Sequence, residues 1–352
     1  MTGVHVVVPE GIDDPTRPSG GNVYDRKICS ALGELGWPVQ VHAVPGSWPT
    51  PDAAAYEALA GAVQGIPDGT VVLVDGLVGS TAPEVLVPEA TRLRLVALIH
   101  MPLGHAAGSN GSRGREGAVL SAATAVVTTS AWARRTLLDL YLLPEDRVHV
   151  AEPGVDTAPI SAGTPSAGAL LCVASVVPEK GHDVLVDALS TMRDLSWSCL
   201  CVGSTARNPA FAERLKRRAR EGELEDRVRF VGPRSGAELG RTYATADLLV
   251  LPSRAETYGM VVAEALARGV PVVAADVGGV SESLGHGNGG IRPGLLVPPG
   301  DVFALAAGLR TWLRDAEVRR SWRRAARERR ASLPRWSATT SALARVLADA
   351  GA

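Results

Sequence analysis

The sequence predicts an α/β protein made of two doubly wound parallel sheets, and three observations carry that expectation. Short runs of β-branched and apolar residues alternate with helical patterns along the 352-residue chain, as they do when each strand is followed by a crossover helix. The alternation stops once, at the Pro/Gly/Ser/Thr-rich connector that reads EPGVDTAPISAGTP from Glu152, and then restarts. The chain is also longer than one typical domain, and its 46% apolar and 21% charged content is that of a globular protein able to bury two cores.

In the first half the strand candidates are Val4–Val8, Val39–Ala43, Val71–Val74, Leu95–Ile99, Ala125–Thr128 and Val148–Ala151, with helices near 22–35, 52–64, 114–122 and 131–142. Ala106–Gly117, AAGSNGSRGREG, reads as the most flexible segment, a lid or a plain surface loop. In the second half strands are expected at Ala169–Ala174, Ser198–Val202, Val228–Val231, Leu248–Leu251, Val272–Ala275 and Leu295–Val297. Helices are expected near 181–191, 209–221, 236–245, 259–268, 279–285 and 301–314, with an Ala/Leu-rich one at 338–349. These readings divide the chain into residues 1–160, 161–332 and a tail from 333 to 352.

Composition narrows the function. No run of 18 apolar residues exists, and the start, MTGVHVVVPE, lacks a basic leader and enters a strand directly, which predicts a cytoplasmic protein. Cys29, Cys172, Cys199 and Cys201 show no metal-ligand spacing and read as small buried hydrophobes. Residues 161–352 carry 26 basic and 20 acidic side chains, but ten arginines within 310–335 account for that excess and read as a solvated basic helix. Lysine is rare, three against 33 arginines, so Lys180 inside a motif carries information.

The richest stretch is Leu251–Gly279, LPSRAETYGMVVAEALARGVPVVAADVGG. It reads as strand end, loop, helix and strand. Glu256 falls in the loop at the strand's carboxyl end, and Glu264 a little over two turns into the helix. The first helical N–H groups, near Gly259 to Val261, favour negative charge in the same crevice. A second motif is VASVVPEKGHDVLVDAL, in which Lys180 at a strand-to-helix turn is a flexible point charge suited to a diphosphate. Ser19-Gly20-Gly21-Asn22 opens the first helix, where adjacent glycines let backbone approach a phosphate, although GxGxxG is absent. His100 ends a buried strand, the edge where open α/β sheets bind ligands, and His105 follows in an exposed loop.

The context SRAETYGMVVAEALARGVPVVA, with its two glutamates, resembles the signature of retaining glycosyltransferases of the GT4 family. The resemblance extends over nearly the whole chain and includes Gly154-Val155-Asp156. It implies a GT-B architecture, two Rossmann-like domains facing across a cleft, with the tail returning to the first domain. It further implies transfer of a sugar, with retention, from a nucleotide-diphosphate donor. No acidic DxD-type motif follows a strand, so no metal or other cofactor is expected, and the 10 basic against 17 acidic side chains of residues 1–160 disfavour an anionic lipid surface and point to a small soluble acceptor. His100 and Glu256 would be catalytic. Gly20, Gly21, Lys180, Gly203, Val231, Arg234, Tyr258, Gly259, Met260, Val261 and Glu264 would bind the donor. Phe230–Arg234 corresponds to the family's base pocket, where backbone contacts leave the base open. One departure stands out: Ser175 occupies the place of a common family arginine, so phosphate binding falls to Lys180, helix N-termini and another arginine such as Arg207 or Arg254. Neither a nucleic-acid partner nor a stable membrane anchor is expected. A GT-B epimerase or phosphorylase, or a non-catalytic nucleotide-sugar binding module, are the alternative readings.

Overall fold

The computed structural model describes residues 3–14, 18–105 and 110–352. They form two compact units: one holds the residues up to Asp14, Ser19–Gly154 and Pro334–Ala352, the other Val155–Leu333 with Pro18. The chain passes between units at Pro18/Ser19, at Gly154/Val155 and at Leu333/Pro334.

In the first unit, β1 (Val4–Pro9), β2 (Val39–Val44), β3 (Val71–Asp75), β4 (Arg94–Ile99), β5 (Ala125–Thr128) and β6 (Val148–Val150) form one sheet in the order β2-β1-β3-β4-β5-β6. All its pairings are parallel. Covered on both faces, the inner strands are mostly apolar, and all of Val71–Asp75 is buried. One face packs against Leu59, Leu86, Leu120 and Leu137. The other packs against Tyr24, Ile28 and Leu32 of the helix Gly20–Glu34, and against Leu343, Val346 and Leu347 of the terminal helix Trp336–Gly351.

The second unit repeats the plan with β7 (Ala169–Val173), β8 (Ser198–Val202), β9 (Val228–Phe230), β10 (Leu248–Leu251), β11 (Val272–Ala275) and β12 (Gly294–Val297), again all parallel. Their order is β12-β11-β10-β7-β8-β9. Counted from the unit's own first strand this is the doubly wound dinucleotide-fold order, whose switch point lies between its first and fourth strands.

Local chemistry sets the helix starts. The Ser19, Ser130 and Asn208 side chains accept from backbone N–H groups three residues on, which satisfies donors the first turn leaves unpaired.

Two helices escaped the sequence reading. Gly76–Gly79 and Pro83–Glu89 are short, and the second contains Pro88, so neither offers a long apolar period. Ala316–Arg329 has an arginine-rich sequence with only Ala325 and Ala326 buried. The expectation of a solvated basic face there is corrected. Arg323 pairs with buried Asp247 at 2.8 Å, Arg330 donates to the carbonyls of Ala267 and Ala158, and Arg310 and Arg314 share Asp194. Most of these charges fasten the segment to its own unit. Of the segment read as flexible, 106–109 lies outside the described residues, and from Asn110 onward it is the first part of the helix Asn110–Ala122.

Candidate functional site

In the second unit the switch point separates the carboxyl ends of β7 and β10. Lys180 closes the single turn Pro178–Lys180 after β7, and Glu256 lies in the loop after β10. Gly181 (φ +67°) makes this juncture possible, because a Cβ there would stand 2.0 Å from the Pro252 carbonyl oxygen. With the two loops in contact, Lys180 Nζ reaches Glu256 Oε1 at 2.6 Å, and the same oxygen accepts from the Ser253 hydroxyl at 2.8 Å. Ser253 is fully buried. From the far side the turn after β11 presses on the glutamate's backbone: Gly278 (φ +56°) would place a Cβ 1.6 Å from the Glu256 carbonyl oxygen.

Eight residues on, Glu264 sits in the helix Met260–Leu266. Its Oε2 accepts from the hydroxyl of the buried Tyr243 at 2.9 Å, and Oε1 has no hydrogen-bond partner among the described residues. Burial raises its pKa, against the opposing effects of the Tyr243 hydrogen bond and the Arg268 charge. The helix begins at Gly259 (φ +81°) without a side-chain cap and is only seven residues long, so its dipole is that of two turns.

The other donor-side positions are placed as follows. Gly203 ends β8, and a Cβ there would meet the Ala174 carbonyl oxygen at 1.9 Å. Tyr258 packs its side chain into the core that also holds Val262 and Leu266. Met260 and Val261 are half-buried. Val231 and Arg234 line one cavity of about 440 Å³ with Leu200, Arg229 and Arg241. The Arg234 guanidinium is engaged there by Thr242 at 2.8 Å and Glu238 at 3.1 Å. Of the arginines considered in place of the one missing at Ser175, Arg254 is committed elsewhere: both its terminal nitrogens meet Asp183 at 2.8 Å, and it also donates to the Pro178 carbonyl. Arg207 stands exposed beyond β8.

The first unit has its own site at its switch point, between β1 and β3. Gly20 and Gly21 open the helix that follows β1, and His100 follows β4. His100 Nε2 lies 2.8 Å from Asp25 Oδ1 and 3.3 Å from Asp75 Oδ2. Neither aspartate was singled out from the sequence, although each left a trace. Asp25 stands four residues after Gly21, on one helical face, and Asp75 is an acid closing an otherwise apolar strand. Among the described residues, this trio is the group of His, Cys, Asp and Glu whose ligand atoms all lie within 4.8 Å of one another. Burial and the neighbouring Asp25 charge raise the Asp75 pKa to about 7. Burial alone would lower the His100 pKa, but Asp25, by charge and hydrogen bond, and Asp75 lift it to about 9.

A further group that sequence reasoning missed fixes the backbone just beyond His100. Glu116, fully buried, accepts from Leu103 N at 3.0 Å, Gly104 N at 2.9 Å, Ser80 Oγ at 2.8 Å and the Tyr141 hydroxyl at 2.5 Å. His105 is exposed, its ring edge-on to Trp132.

The second unit is thus a doubly wound α/β sheet with a basic and an acidic side chain paired at its switch point. Residues 165–329, within the second unit, match the family described as Glycosyl transferases group 1. Two proteins named D-inositol 3-phosphate glycosyltransferase are similar in sequence. The one from Jonesia denitrificans is 33% identical over 234 residues, 61% of this chain and 54% of the relative. The one from Kineococcus radiotolerans is 37% identical over 247 residues, 64% and 57%. The chain thus spans little more than half the length of these relatives. A third of the same name, from Pseudarthrobacter chlorophenolicus, is 29% identical over 78% of its length. The fold is that of sucrose-phosphate synthase from Thermosynechococcus elongatus, with a TM-score of 0.80, 23% identity and 99% of each chain covered. It is also that of Anabaena HepE, solved in complex with UDP-glucose, with a TM-score of 0.78, 19% identity, and 99% and 100% covered. Among the described residues no helix is long and apolar enough to cross a membrane.

Proposed function

We propose that this chain is a retaining glycosyltransferase that moves a sugar from a nucleotide-diphosphate donor to a small hydroxylated acceptor. The observation that carries the reading is the Lys180–Glu256–Ser253 cluster at the switch point of the family-matched unit, 2.6 and 2.8 Å across its two contacts. Ligands of open α/β sheets bind at that edge. A diphosphate leaving group gains charge as the glycosidic bond breaks, so a cation fixed beside it lowers the barrier. With Arg254 paired and the helix at Gly259 short, that charge falls to Lys180. Glu256 and His100 act at the sugar, and Glu264 Oε1 takes the ribose hydroxyls. In this reading the reaction needs no divalent cation, and a chelator leaves its rate unchanged.

The relatives' shared name favours a small polyol acceptor, and the HepE complex makes UDP-sugars the first donors to try. Calorimetry with UDP-, GDP-, ADP- and dTDP-sugars identifies the donor, and NMR of the earliest product gives its anomeric configuration. A product inverted relative to the donor overturns the mechanism. Turnover of donor without acceptor, to an isomer, favours the epimerase reading instead.

A further inference from the structure

We propose that Asp25 and Asp75 are positioning residues that hold His100 as an imidazolium, with Nε2–H turned into the protein and Nδ1–H offered outward to a sugar hydroxyl. On this view His100 serves as a fixed hydrogen-bond donor and not as a base. The role at the sugar rests on the glycosyl-transfer reading; the arrangement of the three side chains does not.

Both aspartates are about 3% exposed, and they come from different elements, Asp25 from the helix after β1 and Asp75 from the end of β3. At 2.8 Å from Asp25 Oδ1, the shorter of its two carboxylate contacts, Nε2 carries the proton, since a lone pair there would be repelled by the Asp25 carboxylate. The ring is held in that orientation. A Cβ on Gly21 would stand 3.2 Å from its Cδ2, and the Tyr24 ring packs edge-on at 5.1 Å. The His100 side chain is 14% exposed, and Nδ1 has no hydrogen-bond partner among the described residues.

The charge balance selects the imidazolium over the neutral ring. Two buried carboxylates favour a cation beside them more strongly than burial disfavours it, and His100 is lifted to about 9. A second proton belongs between the carboxylates. Asp25 Oδ2 is buried without a donor, while Asp75 spends Oδ1 on Leu77 N at 2.7 Å and is itself raised by burial and by Asp25. Like charges in such contact do not both ionise readily. The remaining titratable neighbours, Tyr24 and Cys29, are pushed upward by burial and by Asp25, so they stay neutral at working pH.

The test is a titration of the unliganded full chain by long-range ¹H–¹⁵N NMR of its histidine rings, with His100 assigned by its loss in His100→Gln. Both ring nitrogens should carry protons at pH 7, with a midpoint near 9. Asp25→Asn should lower that midpoint by about one pH unit or more, and Asp75→Asn should lower it less. A wild-type midpoint near the ordinary histidine value overturns the proposal, as does a midpoint unmoved in Asp25→Asn. Stoichiometric zinc displacing the Nε2 proton in the wild type would also overturn it, by showing a cation site in place of a proton site. The wild-type titration alone suffices if a variant fails to fold. Because no substrate is used, a wild-type protein inactive on UDP-glucose counts against the glycosyl-transfer reading and leaves this one standing.

Discussion

Lys180 Nζ sits 2.6 Å from Glu256 Oε1, so the proposed diphosphate cation and the proposed sugar-side carboxylate form an ion pair with each other. A diphosphate must compete with Glu256 for the ammonium. Glu256→Gln should therefore bind UDP at least as tightly as wild type while losing most turnover. Lys180→Ala should bind UDP roughly 10- to 100-fold more weakly, the scale of one charged hydrogen bond at about 1.5–3 kcal/mol. Calorimetry with UDP reads both, and equal affinity in Lys180→Ala would remove the lysine from the phosphate site.

Glu264 should tie nucleotide affinity to pH. Its carboxylate accepts from ribose hydroxyls more strongly when ionised, and burial raises its pKa. UDP affinity is thus expected to be full above that pKa and to fall as the solution is acidified through it. The Tyr243 hydrogen bond stabilises the ionised form, so Tyr243→Phe should move the loss to higher pH. Glu264→Gln should be weaker throughout and flat. A wild-type profile as flat as that of Glu264→Gln would sink the ribose assignment.

Glu116 should be a stability residue whose loss is felt at His100. Its carboxylate answers two backbone N–H groups and two hydroxyls in a fully buried setting. Removal leaves several donors unsatisfied, each costing about 1–3 kcal/mol. Glu116→Ala should lower the denaturation midpoint by the equivalent of at least about 3 kcal/mol and broaden the NMR signals of Leu103 and Gly104. A midpoint within experimental error of wild type would show that water replaces the carboxylate.

Gly278→Ala tests whether backbone contact aims Glu256. The new Cβ would stand 1.6 Å from the Glu256 carbonyl at a φ of +56°, so the loop must move. Turnover should fall at least about tenfold, as it does when a reacting group shifts by about an ångström, while Glu264-dependent UDP binding changes little. Unchanged turnover would mean that the loop's position does not govern the chemistry.

Much of this architecture is legible in the chain because parallel strands covered on both faces must be apolar throughout. Runs such as Val71–Val74 and Leu248–Leu251 announce themselves. Lys180, Glu256, Glu264 and His100 are legible for a related reason: each follows or borders such a run, at the edge where this kind of sheet meets ligands. What stayed hidden is pairing over long sequence distance. Asp25, Asp75 and His100 come from three separate crossovers, and no local pattern says that they meet. The arginines of the helix Ala316–Arg329 read as solvated because their partners, Asp247 and the carbonyls of Leu284 and Glu282, lie far away in the sequence. The role of Ser253 is hidden in the same way, since nothing local says that its hydroxyl turns toward Glu256.

The terminal helix carries a consequence for how the molecule is made. Leu343 and Leu347 are fully buried beside Tyr24 and Ile28, and Gly154 lies so near Trp336 that a Cβ would meet its backbone nitrogen at 2.2 Å. These residues complete the first unit, yet the ribosome reaches them only after the whole second unit has been translated. The usual order of synthesis, in which the amino-terminal domain closes first, is inverted. The later-encoded unit has all of its strands available while the earlier one waits with an apolar face open. A nascent chain stalled before Pro334 should resist protease in the second unit and be cut readily in the first.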